Sequence, residues 1–133
     1  MRVKAFFKGA NFVLAVALTQ MAILEPNTFA IAQQSRTRRI QFAPGAVSAV
    51  VEGGLVRGTR DIYLLRARRD QTMTLNITSL EQNAVFDVQA PNGNFLKEEA
   101  TSWSGVLPAT GDYSVIVSGT RGNASYQLEV TIR

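Results

Sequence analysis

The chain has 133 residues with neither His nor Cys, and 14 Lys and Arg stand against 10 Asp and Glu. The missing residue types exclude Ser-His-Asp and Cys-His catalysis, disulfides, and the usual zinc and copper ligands. The formal net charge of +4 is modest, and part of it sits in the first few residues.

Arg2, Lys4 and Lys8 precede an apolar run from Ala10 to Leu24, a polar stretch EPNTF, and Ala30-Ile31-Ala32, the small-x-small pattern of a signal peptidase site. Residues 1–32 are therefore expected to be a cleaved signal peptide, and the protein to be periplasmic or secreted. The apolar run falls short of the ~20 residues a membrane span needs, so no membrane contact is expected after cleavage. Loss of Arg2, Lys4, Lys8 and Glu25 leaves 11 basic and 9 acidic residues, a balance that gives a nucleic-acid partner little support. A chain of this length can bury roughly 65% of its extended surface in one domain without covalent cross-links.

A basic leader, QQSRTR, is expected to be flexible over residues 33–38, with one domain from 39 to 133. Within that domain hydrophobicity alternates with period two, the mark of half-buried strands. In DIYLLRA the alternate set is Tyr63, Leu65 and Ala67, and in TMTLNIT it is Met73, Leu75 and Ile77. Next come Tyr113, Val115 and Val117 in DYSVIVS, then Tyr126, Leu128, Val130 and Ile132 in SYQLEVTIR. Turn signals separate the runs: APG at 43–45, EGG at 52–54, RRDQ at 68–71, PNGN at 91–94 and TRGN at 120–123. Short alternating strands with no sustained helical period predict an all-β fold, an antiparallel β-sandwich of about eight strands.

Leu107-Pro108-Ala109-Thr110-Gly111 matches the pattern that sortases cut, yet 22 residues of alternating strand follow Gly111. A sorting signal needs a continuous apolar segment and a basic tail there. The motif therefore reads as a turn that delivers Tyr113 into the next strand, with Pro108 fixing φ and Gly111 relaxing it.

The carboxylates Asp61, Asp70, Glu81, Asp87, Glu98, Glu99, Asp112 and Glu129 are scattered and suggest no convergent catalytic pair. Asp61 and Asp112, near strand starts, are the acids best placed for calcium, but no dense acidic loop accompanies them. No enzyme activity, cofactor or metal is expected. Two surface features remain. Arg57, Arg60, Arg66, Arg68, Arg69 and Arg121 hold much of the positive charge, with Arg121 at the tip of SGTRGNAS, where a guanidinium can pair bidentately with a partner's carboxylate. Trp103, the only Trp, is expected just before a strand, either covering a sandwich end or serving as a platform on which a glycan stacks.

The segment from Gly58 to Ile132, with RDIYLLRARRDQTMTLNI, AVFDVQAPNG, WSGVLPATGDYSVIV and ASYQLEVTI, resembles the bacterial pre-peptidase C-terminal domain. With RIQFAPGAVSAVVEGGLVRG ahead of it, the pattern is similar to the periplasmic inhibitors of goose-type lysozyme. There Phe42, Gly45, Ser48, Ala49, Gly53, Leu55 and Gly58 match, with one inserted residue around Val56. The first resemblance implies an accessory module that binds polysaccharide or a cell-envelope protein, with Trp103 as the stacking residue. The second implies a non-enzymatic inhibitor whose partner is goose-type lysozyme, with Arg121, Arg60 and Asn123 of the TRGN turn as partner-binding residues. It also implies a second Arg within the preceding strand, where this chain has Ile116, on the face opposite Tyr113, Val115 and Val117.

Overall fold

Every alternating run in the sequence forms a strand, and the chain adds strands that the alternation does not announce. A computed structural model describes residues 35–133; the expected signal peptide, residues 1–32, and the first two leader residues lie outside the described residues. The strands are β1 (Arg36–Arg39), β2 (Ser48–Leu55), β3 (Arg60–Ala67), β4 (Thr72–Thr78), β5 (Ala84–Gln89), β6 (Phe95–Ala100), β7 (Ser102–Val106), β8 (Gly111–Gly119) and β9 (Ala124–Ile132). They form two sheets, one ordered β1-β3-β8-β5-β6 and the other β2-β9-β4-β7. All pairings are antiparallel except β1 with β3. The architecture is the expected β-sandwich, with nine strands among the described residues rather than about eight.

The core follows from the alternation. Tyr63, Leu65, Ala67, Met73, Leu75, Ile77, Tyr113, Val115, Val117, Tyr126, Leu128, Val130 and Ile132 are all buried, joined from β5 by Ala84, Phe86 and Val88. Each large side chain contributes about 1.5–3 kcal/mol by leaving water, and a one-residue slip in any strand would turn its whole set outward. β6 and β7 are separated by Thr101 alone, so the chain steps there from one sheet to the other.

The LPATG segment is the turn into β8. Leu107 is fully buried, and the Tyr113 hydroxyl donates to the Ala109 carbonyl (2.6 Å) while accepting the Ala109 N–H (3.1 Å). Thr110 Oγ1 accepts the Arg69 N–H at 2.9 Å.

The leader departs from its expected flexibility. From Ser35 onward it is ordered, and Arg36–Arg39 lies parallel to β3 as an edge strand. The cause is a carboxylate on the inner face of β3. Asp61 is 4% exposed, and a buried anion without a partner is costly. Arg36 supplies a two-pronged contact, Nε to Oδ1 at 3.1 Å and Nη2 to Oδ2 at 3.0 Å, and the Tyr126 hydroxyl donates to Oδ2. Because that proton points at Asp61, the Tyr63 hydroxyl donates to the Tyr126 oxygen, at 2.6 Å. Burial, with Asp61 and Tyr63 alongside, pushes the Tyr126 hydroxyl far above the usual tyrosine range. Gly53 makes room for this chain of bonds, since a Cβ there would lie 2.6 Å from the Tyr126 oxygen. The two acids considered for calcium are thus both engaged by arginines: Asp61 by Arg36, and Asp112 by Arg39, which reaches across β3 to contact it at 2.8 and 3.1 Å.

The two ion pairs should differ in worth. Side-chain exposure is 46% and 6% for Arg36 and Asp61, against 38% and 42% for Arg39 and Asp112. Arg36→Ala strands a buried carboxylate and is expected to cost about 1–3 kcal/mol in urea unfolding. Arg39→Ala removes an exposed pair that solvent screens, and should cost clearly less. Equal costs would contradict this account of what orders β1.

Candidate partner-binding site

One end of the sandwich gathers three turns: β2–β3 at 56–59, β4–β5 at 79–83 and β8–β9 at 120–123. The strand registers require this, because Leu55 pairs with Ala124, Arg60 with Ser118, Thr78 with Gln127 and Ala84 with Gly119. Arg60, Arg121 and Asn123, drawn from two separate stretches of sequence, therefore meet at the same end. Arg57, not singled out as a contact residue in the sequence, joins them from the β2–β3 turn.

The turns are tied to one another by side chains whose roles the sequence did not disclose. Asn83 is 3% exposed and uses both ends of its amide. Its Oδ1 accepts from the Thr120 N–H (3.1 Å), the Thr120 hydroxyl (2.7 Å) and the Arg121 N–H (2.7 Å). Its Nδ2 donates to the carbonyls of Arg121 (2.7 Å) and Asn123 (2.8 Å). The backbone of the TRGN turn is thereby wrapped around one buried amide, and Gly122, at φ +76°, supplies the left-handed step that closes it. Asn123 extends the linkage, its Oδ1 accepting the Arg57 N–H at 2.7 Å. That contact makes Asn123 a brace between turns, whatever it also offers a partner. Ser35 Oγ accepts the Arg60 N–H at 3.0 Å, so β1 too is fastened to this end.

The charge at this end is uneven. Among the described residues the ion pairs are Arg36–Asp61 and Arg39–Asp112, so Arg57, Arg60 and Arg121 are exposed cations without an acidic partner. Arg121 Nη2 makes one long contact, 3.4 Å, to the Glu81 carbonyl. The Glu81 carboxylate is turned the other way, accepting from the Ser125 N–H (2.9 Å), the Ser125 hydroxyl (2.9 and 3.1 Å) and the Ser79 hydroxyl (3.1 Å).

Two further sequence candidates lie away from this end cluster. Ile116 is on the outer face of its sheet, opposite Tyr113, Val115 and Val117 as expected, paired with Ile62 on one side and Asp87 on the other. Trp103 lies inside β7 rather than before a strand. It pairs with Leu75, is half-buried against the core, and has its ring so close over Gly105 that a Cβ there would collide with it. Only part of the indole faces water.

The Glu81 contacts, led by the Ser125 N–H and followed by its own backbone N–H and the serine hydroxyls, lower its pKa from 4.5 to about 2. Between those values the unfolded chain binds more protons than the folded one, so the stability that the carboxylate supplies rises with pH there. It is complete above about pH 4.5 and lost as pH falls through 2. The stability difference between the wild type and Glu81→Gln, measured by urea unfolding, should therefore shrink steadily from pH 5 to pH 2. A difference that is constant over that range would contradict these contacts.

No protein-family profile matches the sequence, and no curated protein matches it. Solved structures do. The structure of Aeromonas hydrophila PliG, a periplasmic lysozyme inhibitor of g-type lysozyme, is similar with a TM-score of 0.67 and 33% identity, over 75% of this chain and 98% of that one. A mutant of Escherichia coli PliG, also a periplasmic inhibitor of g-type lysozyme, gives a TM-score of 0.62 at 21% identity, over 74% and 99% of the two chains. The pre-peptidase C-terminal domain of a Bacillus anthracis collagenase shares the fold, with a TM-score of 0.55 at 14% identity over 71% and 94%. On the identity and near-complete coverage of the Aeromonas protein, the chain belongs to the family of periplasmic g-type lysozyme inhibitors.

Proposed function

We propose that this protein is an exported, non-enzymatic inhibitor of g-type lysozyme, and that the end bearing Arg57, Arg60 and Arg121 docks into the lysozyme's substrate cleft. The observation that carries the reading is the set of three cations without acidic partners, held on turns locked together by Asn83 and Asn123, on the scaffold of an inhibitor family. Glycosidase clefts present carboxylates, one of which must protonate the leaving group. A guanidinium placed against that group is expected to hold it ionised and to exclude substrate. Arg121, at the tip, is the group assigned that position, with Arg60 at the same end of the sandwich on the outer face of β3.

Preorganisation bears on affinity. The turns are already fixed by buried and interlocking hydrogen bonds, so docking orders little that was not ordered before, and less of the interaction energy is lost to immobilisation. Three carboxylates, Asp61, Asp112 and Glu81, are committed to internal partners. Ile116, standing where the family resemblance implied an arginine, leaves the recognition charge of this chain to its end turns. The amino-terminal basic and apolar segment supports export to the compartment where such an enzyme would be met.

The test is lysis of cell-wall substrate by a g-type lysozyme, with a chicken-type lysozyme as control, in the presence of residues 33–133. Selective inhibition is expected. Arg121→Ala should weaken it by tenfold or more, equivalent to about 1.4 kcal/mol, and added salt should weaken the wild type more than the variant. Inhibition of neither enzyme at micromolar protein would overturn the reading.

A further inference from the structure

We infer that Leu80 is the apolar anchor with which this end of the sandwich grips g-type lysozyme; the inference rests on the inhibitor reading and names a contact that the arginines alone do not predict. Leu80 is 92% exposed, more than any other large hydrophobic side chain described. A solvated leucine on a loose loop would carry no meaning, because singly exposed hydrophobic residues are common. This one is on a loop that is not loose. It is the first central residue of the turn from Ser79 to Gln82, closed by the Gln82 N–H donating to the Ser79 carbonyl at 3.0 Å. Its neighbours are fixed on both sides. Ser79 Oγ donates to the Glu81 carboxylate and accepts the Asn83 N–H at 3.4 Å; Glu81 is bound to Ser125, and Asn83 is buried within the β8–β9 turn. Gln82 accepts a left-handed backbone, φ +54°, to complete the turn.

The ground on either side is open. A cleft of about 420 Å³ runs beside the loop between Glu52 and Gln127, and a second, of about 320 Å³, lies on its other side next to Val85, Thr101 and Thr120. Thr78 and Ser79 border both, so the loop is a ridge between two clefts, and Leu80, which lines the first of them, is its most exposed apolar side chain. The side chain meets a partner's surface with nearly all its apolar area unspent.

The occupant follows from charge and position. Glu81 is the next residue, and its carbonyl accepts from Arg121, so the ridge and the tip of the β8–β9 turn are in direct contact. Any partner whose acidic cleft receives Arg121 must bring its cleft wall against Leu80. An apolar side chain beside a cation divides the work at such a contact, the cation supplying orientation through paired hydrogen bonds and the apolar residue the area removed from water.

The experiment measures the affinity of residues 33–133 for immobilised g-type lysozyme with the wild type, Leu80→Ser, Leu80→Met and Arg121→Ala, each checked for an unchanged urea midpoint. The expected result is that Leu80→Ser weakens binding by at least about tenfold, Leu80→Met stays within about threefold of the wild type, and the loss in Leu80→Ser persists at high salt where the loss in Arg121→Ala fades. Wild-type-like binding by Leu80→Ser alongside a weakened Arg121→Ala would overturn the anchor and leave the inhibitor reading standing. Absence of binding by the wild type itself would overturn both.

Discussion

A single buried amide fixes the end of this molecule at which the β2–β3, β4–β5 and β8–β9 turns gather. Asn83 satisfies both its oxygen and its nitrogen on the backbone and hydroxyl of residues 120–123, so the last residue of the β4–β5 turn and the whole β8–β9 turn move as one. The low exposure of the site makes this strict. An unpaired amide in such a place would cost more than a typical hydrogen bond contributes, because neither water nor another group is there to replace the lost partner. Fixing Asn83 fixes Glu81 beside Ser125, and with it Leu80; fixing the turn fixes Asn123, and through it Arg57. The order of this end thus descends from one residue that is itself almost wholly buried.

A second polar group plays a comparable part deeper in the sandwich. Asp61 occupies an inner-face position that alternation would give to an apolar residue, and its charge draws Arg36, Tyr126 and Tyr63 into one hydrogen-bonded chain. The bond to Arg36 converts a run of three arginines and a threonine into a parallel edge strand. It also spares Arg57, Arg60 and Arg121, since the buried carboxylate is neutralised by an arginine that lies below the turns. Charge needed inside the fold and charge left exposed at its end are therefore carried by different residues.

How far the sequence could be read follows from the range of the forces involved. In Met73-Leu75-Ile77 and Tyr126-Leu128-Val130-Ile132 the strand is defined by which face is buried, so the pattern lies within the strand itself and these inner residues were legible. β1 was not, because Arg-Thr-Arg-Arg has no apolar alternation and is held by a partner 25 residues away in Asp61. β7 was missed for a related reason: its inner face is Trp103 and Gly105, one side chain covering the other position, so only one large apolar residue marks the strand. At the site, Arg121, Arg60 and Asn123 could be named from residue type and family resemblance. Asn83, Glu81 and Leu80 in SLEQNAV read as ordinary turn residues, since what distinguishes them is a set of contacts with residues 120–125 that no local pattern encodes. The bond from Asn123 to Arg57 could not be foreseen either, as it depends on β2 pairing with β9.

The central claim is that one end of the sandwich, the end braced by Asn83, is the surface that meets g-type lysozyme. Amide hydrogen exchange of the protein with and without the lysozyme tests it most directly. The account predicts added protection at residues 56–60, 79–83 and 120–123, with the opposite turns at 68–71, 91–94 and 107–111 unchanged. Protection confined to those opposite turns, or to the edge strand that carries Trp103, would contradict it.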